Sequence, residues 1–130
     1  MLYLYIALGS AAGGVTRYAV GGAVQRALGG TFPLGTLLIN VTGSLLLCFL
    51  LRYAIETPAI TPEARALLTT GFCGGYTTFS TFSYEAVALA EDGEWTRAAA
   101  YVAASVALSL LGAVAGIVLA RELLTWRRGA

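Results

Sequence analysis

The segment GFCGGYTTFSTFSYE, residues 71–85, carries most of the side chains with which this chain could do chemistry. Glycines come first, and a dense run of serine and threonine hydroxyls with phenylalanines follows inside an apolar segment. At 100° per residue, Ser80 and Thr81 lie on one helix face, and Phe79 and Phe82 lie on the opposite face. Such hydroxyls can bond to a preceding turn or a neighbouring helix. Five of them in seven residues also favour a polar path.

Two further segments repeat this polar pattern at helical spacing. Tyr101, Ser105 and Ser109 recur every four residues and form one line along a helix face. Thr36 and Asn40 are also four residues apart. Taken alone, Asn40 could be an interhelical hydrogen-bonding residue, worth about 0.6–2 kcal/mol, or part of the same path.

Two charged residues lie well inside apolar segments. Arg17 is about 22 Å along a helix that begins at Leu2, within the hydrocarbon of a membrane or near its edge. It must snorkel, pair or face water, and in a wet vestibule it would raise the local anion concentration. Glu85 could be a proton or gating site, or could snorkel.

The glycines at 71, 74 and 75 each lower helix propensity by about 1 kcal/mol relative to alanine. They could break the helix at mid-membrane, where freed carbonyls can coordinate a small cation. They could equally be packing surfaces for a neighbouring helix. The polar residues beyond them are mostly hydrogen-bond donors without strong fixed charge, which suits a small, strongly hydrated anion. Phenylalanine ring edges, which carry positive partial charge, suit an anion as well.

The elements that hold these residues are predicted to be membrane-spanning helices. Of the 130 residues, 58% are hydrophobic and 12% are charged, whereas soluble domains carry about 25% charged residues. A spanning helix needs roughly 20 apolar residues. The sequence therefore predicts an all-α membrane protein with a single domain, residues 1–130, and a third span broken at mid-membrane. The predicted spans cover about 2–28, 34–54, 64–90 and 96–124.

The composition also excludes several classes of function. The chain has no histidine and all its basic residues are arginines, so histidine metal sites and lysine nucleophiles are excluded. The net charge of +1 gives no reason to expect a nucleic-acid partner. No span pairs a nucleophile with a base, so an enzyme is not expected. Cys48 and Cys73 are interpreted as packing residues.

With its motifs in order, the sequence resembles the Fluc (CrcB) family of fluoride channels over its whole length. The motifs are GGVTRY at 13–18, GTLLINVTGS at 35–44 and GFCGGYTTFSTFSYE at 71–85. The resemblance implies an antiparallel, dual-topology homodimer with two pores, in the plasma (inner) membrane of a prokaryote. Its function would be passive export of cytoplasmic fluoride.

The resemblance also implies roles for individual residues. Backbone carbonyls of Gly74 and Thr77 would hold a structural sodium ion at the dimer interface, and Arg17 would lie in a vestibule. The side chains that it implies along the fluoride path are Thr36, Asn40, Phe79, Ser80, Thr81, Phe82, Glu85, Tyr101, Ser105 and Ser109.

Two alternatives belong to other functional classes. A small four-helix multidrug transporter would call for a glutamate within the first span, and residues 2–16 contain no acid. An accessory membrane subunit would use the hydroxyls for packing alone. In that case Phe79→Ile or Asn40→Ala would change stability but no ion flux.

Overall fold

The computed structural model describes residues 1–129, which form helices and no strand. The third helix is composite: α3, a π-helical segment and α4 lead to a break, and α5 follows it. Helices lie over all the predicted spans, while their membrane crossing as one domain remains a prediction. The elements are α1 (Leu2–Leu28), α2 (Leu34–Glu56), α3 (Pro62–Ala66), the π-helical segment (Leu67–Cys73), α4 (Gly74–Tyr76), α5 (Phe79–Glu91) and α6 (Trp95–Gly129).

Within the described residues, α2 and α6 are each long and apolar enough to cross a membrane. Much of the apolar surface of α6 is exposed, including Val106, Leu110, Leu111 and Val114. A helix that leaves such residues outside the protein core is suited to contact with lipid or with another membrane protein.

The break in the third helix lies at Thr77 and Thr78, both of which have extended backbone conformations. The glycines before the break are helical. Gly71 lies inside the π-helical segment, and Gly74 has helical dihedral angles, φ −63° and ψ −37°. The hypothesis that these glycines themselves break the helix is therefore wrong. The interruption follows them instead, where the backbone N–H of Thr78 leaves the helix and bonds to a side chain of α2.

The glycines bring α1 against the third helix. A Cβ on Gly71 would lie 2.9 Å from Gly9 Cα, and one on Gly75 would lie 2.5 Å from the Ser10 carbonyl oxygen. Gly13 faces the backbone of residues 72 and 76 equally closely. The packing interpretation therefore fits Gly71 and Gly75. It does not fit Gly74, whose Cβ would meet its nearest atom only at 3.9 Å.

Helices α2 and α6 run parallel and pack through a second pair of glycines. Gly112 and Gly116 lie against the carbonyl oxygens of Val41 and Leu45, as their small-xxx-small spacing predicts. Near the chain termini, Arg127 and Arg128 of α6 bond to Tyr53 and Glu56 of α2. Glycine contacts allow close approach along the helices, and polar contacts join their ends.

Candidate functional site

Two neighbouring cavities contain most of the predicted site residues, and Thr78 lines both. The larger, about 600 Å³, is called the Arg17 cavity and lies between α1, α2 and α5. The smaller, about 260 Å³, is called the phenylalanine cavity and lies between α2, α5 and α6. Predicted residues that line the Arg17 cavity are Arg17, Thr36, Thr81 and Glu85. Those that line the phenylalanine cavity are Asn40, Thr77, Phe79, Phe82, Ser105 and Ser109.

The opposite faces of α5 explain this division. Thr81 and Glu85 are four residues apart and face the Arg17 cavity, whereas Phe79 and Phe82 face the other. The helix begins immediately after the break because Thr78 caps it: its hydroxyl accepts the Thr81 backbone N–H at 3.2 Å. The break thus starts a new half-helix and directs its hydroxyl and phenyl faces into separate spaces.

Asn40 joins α2 to the break. Its Nδ2 donates to the Thr78 carbonyl at 3.0 Å, and its Oδ1 accepts the Thr78 backbone N–H at 2.8 Å. One amide side chain therefore replaces the helical partners that an interrupted segment loses. Asn40 also lines the phenylalanine cavity. The geometry is compatible with both interpretations of this residue, interhelical contact and a path-lining position.

Arg17 pairs with the backbone at the same break. Its Nη1 donates to the Thr77 carbonyl at 3.3 Å, and its side chain is half-buried at the wall of its cavity. This bond uses one of the five N–H groups of the guanidinium, so most of its donor capacity remains available to the cavity. This arrangement favours the vestibule interpretation over snorkelling, because the side chain is directed into the bundle.

Glu85 accepts two hydroxyl hydrogen bonds from neighbouring helices. Thr36 Oγ1 donates to Oε1 at 2.9 Å, and the Tyr101 hydroxyl donates to Oε2 at 2.6 Å. These partners tie α5 to α2 and α6. Glu85 is therefore held in place and does not snorkel. Its carboxylate gives the Arg17 cavity an acidic wall as well as a basic one.

The phenylalanine cavity combines aromatic rings with hydroxyls. The rings of Phe79 and Phe82 are 5.5 Å apart, and Phe82 is 5.4 Å from the ring of Tyr101. Phe79 is 79% exposed on the single chain, so its outer side is free for lipid or a second copy. The Ser105 hydroxyl is buried and has no hydrogen-bond partner among residues 1–129, and a buried group of this kind can serve a ligand or water.

Three predicted residues lie outside both cavities. Tyr101 is fully buried and contacts the site through its bond to Glu85 and its ring contact with Phe82. Ser80 is exposed and lies within 3.4 Å of the Thr78 hydroxyl. Gly74 is exposed and lies in α4, before the break. The line formed by residues 101, 105 and 109 therefore faces the phenylalanine cavity only over its last two members.

The suggested sodium ligands are backbone carbonyls, and their surroundings partly fit a cation. Because the Thr78 N–H bonds to Asn40, the Gly74 carbonyl loses its usual helical donor four residues later. Carbonyls freed in this way suit a small hard cation. The Thr77 carbonyl already accepts a hydrogen bond from the Arg17 guanidinium, and the prediction names two carbonyls in each chain. No group of three or more acidic, histidine or cysteine ligands occurs within residues 1–129.

Sequence reasoning missed Thr78, Ser44 and Gln25 as site residues. Thr78 lines both cavities, and Ser44 lines the phenylalanine cavity four residues after Asn40. The spacing of Ser44 was a signal for its position. The role of Thr78 follows from threonine's preference for the N-cap once the break is located. Gln25 lies in the Arg17 cavity.

Comparisons with known proteins agree on one family. A family model described as "CrcB-like protein, Camphor Resistance (CrcB)" matches residues 4–117. The chain is 49% identical over 120 residues to the "Fluoride-specific ion channel FluC" of Geobacter sulfurreducens, covering 92% of this chain and 97% of the relative. Proteins of the same name from Rhizobium meliloti and Syntrophotalea carbinolica are each 46% identical, over 92% and 95% of this chain and 96% and 100% of their own lengths.

Proposed function

This chain belongs to the CrcB-like family, and we propose that it is a fluoride-selective ion channel. The observation that carries the proposal is the near full-length similarity to relatives named fluoride-specific ion channels. Apolar helices and this family membership indicate an integral membrane protein. An ion channel needs no catalytic step, so no enzymatic activity is proposed.

The proposed fluoride path runs along the two cavities. In the phenylalanine cavity, hydroxyls, an amide and phenyl edges would replace the water shell of fluoride stepwise, without a fixed charge that would hold the ion too tightly. The unpartnered Ser105 hydroxyl and the second N–H of Asn40 supply donors in the phenylalanine cavity. Arg17 would raise the anion concentration in its own cavity. Thr36, Tyr101 and Glu85 would continue the polar track, with Ser80 and Thr81 near it.

The proposed assembly is an antiparallel, dual-topology homodimer with two pores. Exposed Phe79 on the single chain supports this, because a second copy could cover the open side of the phenylalanine cavity. A structural sodium ion at the interface would bind the carbonyls of Gly74 and Thr77 from both copies. The freed Gly74 carbonyl supports that assignment, since two copies would provide four ligands.

The proposed biological role is passive export of cytoplasmic fluoride, which reduces fluoride toxicity. The protein would be a multi-pass protein of the plasma (inner) membrane of a prokaryote, in contact with lipid. Arginines are more numerous on the side that carries the termini, at positions 52, 65, 121, 127 and 128, than on the other, at 26 and 97. This bias favours cytoplasmic termini only modestly, which is compatible with dual topology.

The direct test is ion efflux from liposomes that contain the purified protein. We expect rapid fluoride release, read with a fluoride-selective electrode, and no chloride release in parallel vesicles. Phe82→Ile should abolish fluoride release. Phe49→Ile is the matched control, because Phe49 stacks on Tyr53 away from both cavities. Absence of fluoride release from correctly folded protein would contradict the proposal and favour an accessory-subunit function.

A further inference from the structure

Gln25 holds the α1–α2 loop, residues 29–33, through three hydrogen bonds. Its Nε2 donates to the carbonyls of Gly30 and Phe32, each at 3.0 Å. Its Oε1 accepts the backbone N–H of Gly35 at 3.2 Å, in the first turn of α2. Helix α2 has no side-chain cap of its own, so Gln25 supplies from α1 a partner for one of the N–H groups left open at that end.

Only an amide side chain of this length can make all three hydrogen bonds. An ionised carboxylate could accept from Gly35 but could not donate to the two carbonyls, and a cationic side chain could donate but not accept. Phe32, at the far end of the loop, also packs on the ring of Tyr101, but the two glycines before it, Gly29 and Gly30, have φ of 67° and 79° and no side chains to hold them. Glycine adopts positive φ without strain, but it also changes to other backbone conformations readily.

The fixed loop is part of the wall of the Arg17 cavity. Gln25, Gly30 and Thr31 line that cavity together with Arg17 and Glu85. Gly35 also packs directly on Gly21, so the contact between α1 and α2 lies beside the same hydrogen bonds. Displacement of the loop would therefore change the wall of the cavity.

We propose that Gln25 is a positioning residue that holds the α1–α2 loop as a fixed wall of the Arg17 cavity and so controls how fast an anion enters. This inference rests on the proposed function for the entry rate, but the clamp itself does not. Without the amide, we expect the glycine part of the loop, residues 29–31, to leave this position for part of the time and so to change the shape of the cavity. The fraction of competent protein would fall, and the observed rate would fall with it.

The first test measures loop mobility. Pro33→Cys places a thiol at the buried end of the loop, and its rate of modification by a charged thiosulfonate is followed by mass spectrometry. In the Gln25→Leu background we expect roughly tenfold faster modification, equivalent to about 1.4 kcal/mol. Buried Cys73 reports global unfolding in the same sample and should stay unmodified. Ala23→Ser, an exposed change on the same helix, is the control.

The second test measures fluoride efflux from liposomes that contain protein with the native cysteines and proline at position 33. We expect Gln25→Leu and Gln25→Glu to slow it roughly threefold, as a competent fraction of one third would do, while chloride stays excluded. An unchanged modification rate, or modification of Cys73 as well, would overturn the clamp. Faster modification with unchanged efflux would overturn the control of entry. If the parent protein releases no fluoride, the proposed function fails, yet the modification rates still decide whether the clamp exists.

Discussion

The side chain of Asn40 bonds to both backbone groups of Thr78 and so completes the break in the third helix from α2. The break is not an unfolded interruption, because a neighbouring helix supplies the donor and acceptor that the chain loses there. The same pair lies where the phenylalanine cavity meets the Arg17 cavity. Support of the backbone and formation of the proposed path therefore depend on one contact.

Replacement of Asn40 by alanine should reduce both stability and fluoride flux. The Thr78 N–H and carbonyl would lose their partners in a half-buried site, at a cost of about 1–3 kcal/mol. Thermal unfolding in detergent and liposome efflux measure the two effects. Ser44→Ala, in the same cavity, is the control for the loss of a polar side chain. A variant with normal stability and normal flux would contradict the role given to this contact.

Replacement of Thr78 should separate the stabilising effect of its N-cap hydrogen bond from the effect of its side-chain shape. Thr78→Val keeps the branched shape but loses the acceptor for the Thr81 N–H, so we expect a loss of about 1 kcal/mol. Thr78→Ser keeps a hydroxyl and should remain near the parent stability. Hydrogen exchange of the Thr81 amide in a stable membrane mimetic gives a local readout. Equal exchange in the two variants would show that the cap does not stabilise α5.

Adjacent glycines on α1 should differ sharply in their tolerance of alanine. A Cβ on Gly13 would lie 2.9 Å from the Tyr76 nitrogen, whereas one on Gly14 would have no atom within 4 Å. Because backbone atoms cannot move aside locally, Gly13→Ala should destabilise the protein by about 1–3 kcal/mol. Gly14→Ala is the matched control and should be close to neutral. Comparison of their unfolding temperatures checks the prediction, and similar losses would contradict the packing described for α1.

The family resemblance read from the motifs is confirmed, and the predicted spans are helical in the structure except at the break, Thr77 and Thr78. Residue spacing also predicted the opposite faces of α5, because helical periodicity depends only on local sequence. The position of the break was less predictable. Glycine propensity indicated residues 71–75, but packing against α1 keeps them helical, and Asn40 stabilises an extended backbone farther along. Tertiary contacts decided that outcome, as they often override propensity.

The role of Gln25 was hidden for a different reason. Its three partners belong to a loop and to another helix, so no periodic pattern within α1 marks them. The dimer, the sodium ion and the fluoride path remain predictions, because each depends on groups beyond a single chain.

Arg17 should accelerate fluoride entry mainly through its charge. Arg17→Gln should lower efflux by roughly tenfold at low ionic strength, and the difference should shrink as screening salt is added. Arg26→Gln is the control, because Arg26 is exposed, does not line the cavity and removes an equal charge. Efflux is measured at several concentrations of an impermeant salt. A reduction that does not change with salt would point to the Arg17 bond to the Thr77 carbonyl instead.

Sodium should stabilise the protein through backbone carbonyls alone. In a sodium-free buffer of N-methylglucamine chloride, added sodium at about 100 times its dissociation constant should stabilise the fold by about 2.7 kcal/mol. Thr77→Ser should keep this response, because the proposed ligand is the carbonyl and not the side chain. Unfolding temperature against sodium concentration, at constant ionic strength, provides the measurement. Identical curves in sodium and N-methylglucamine would remove the structural ion from the proposal and leave the Arg17 contact as the partner of the Thr77 carbonyl.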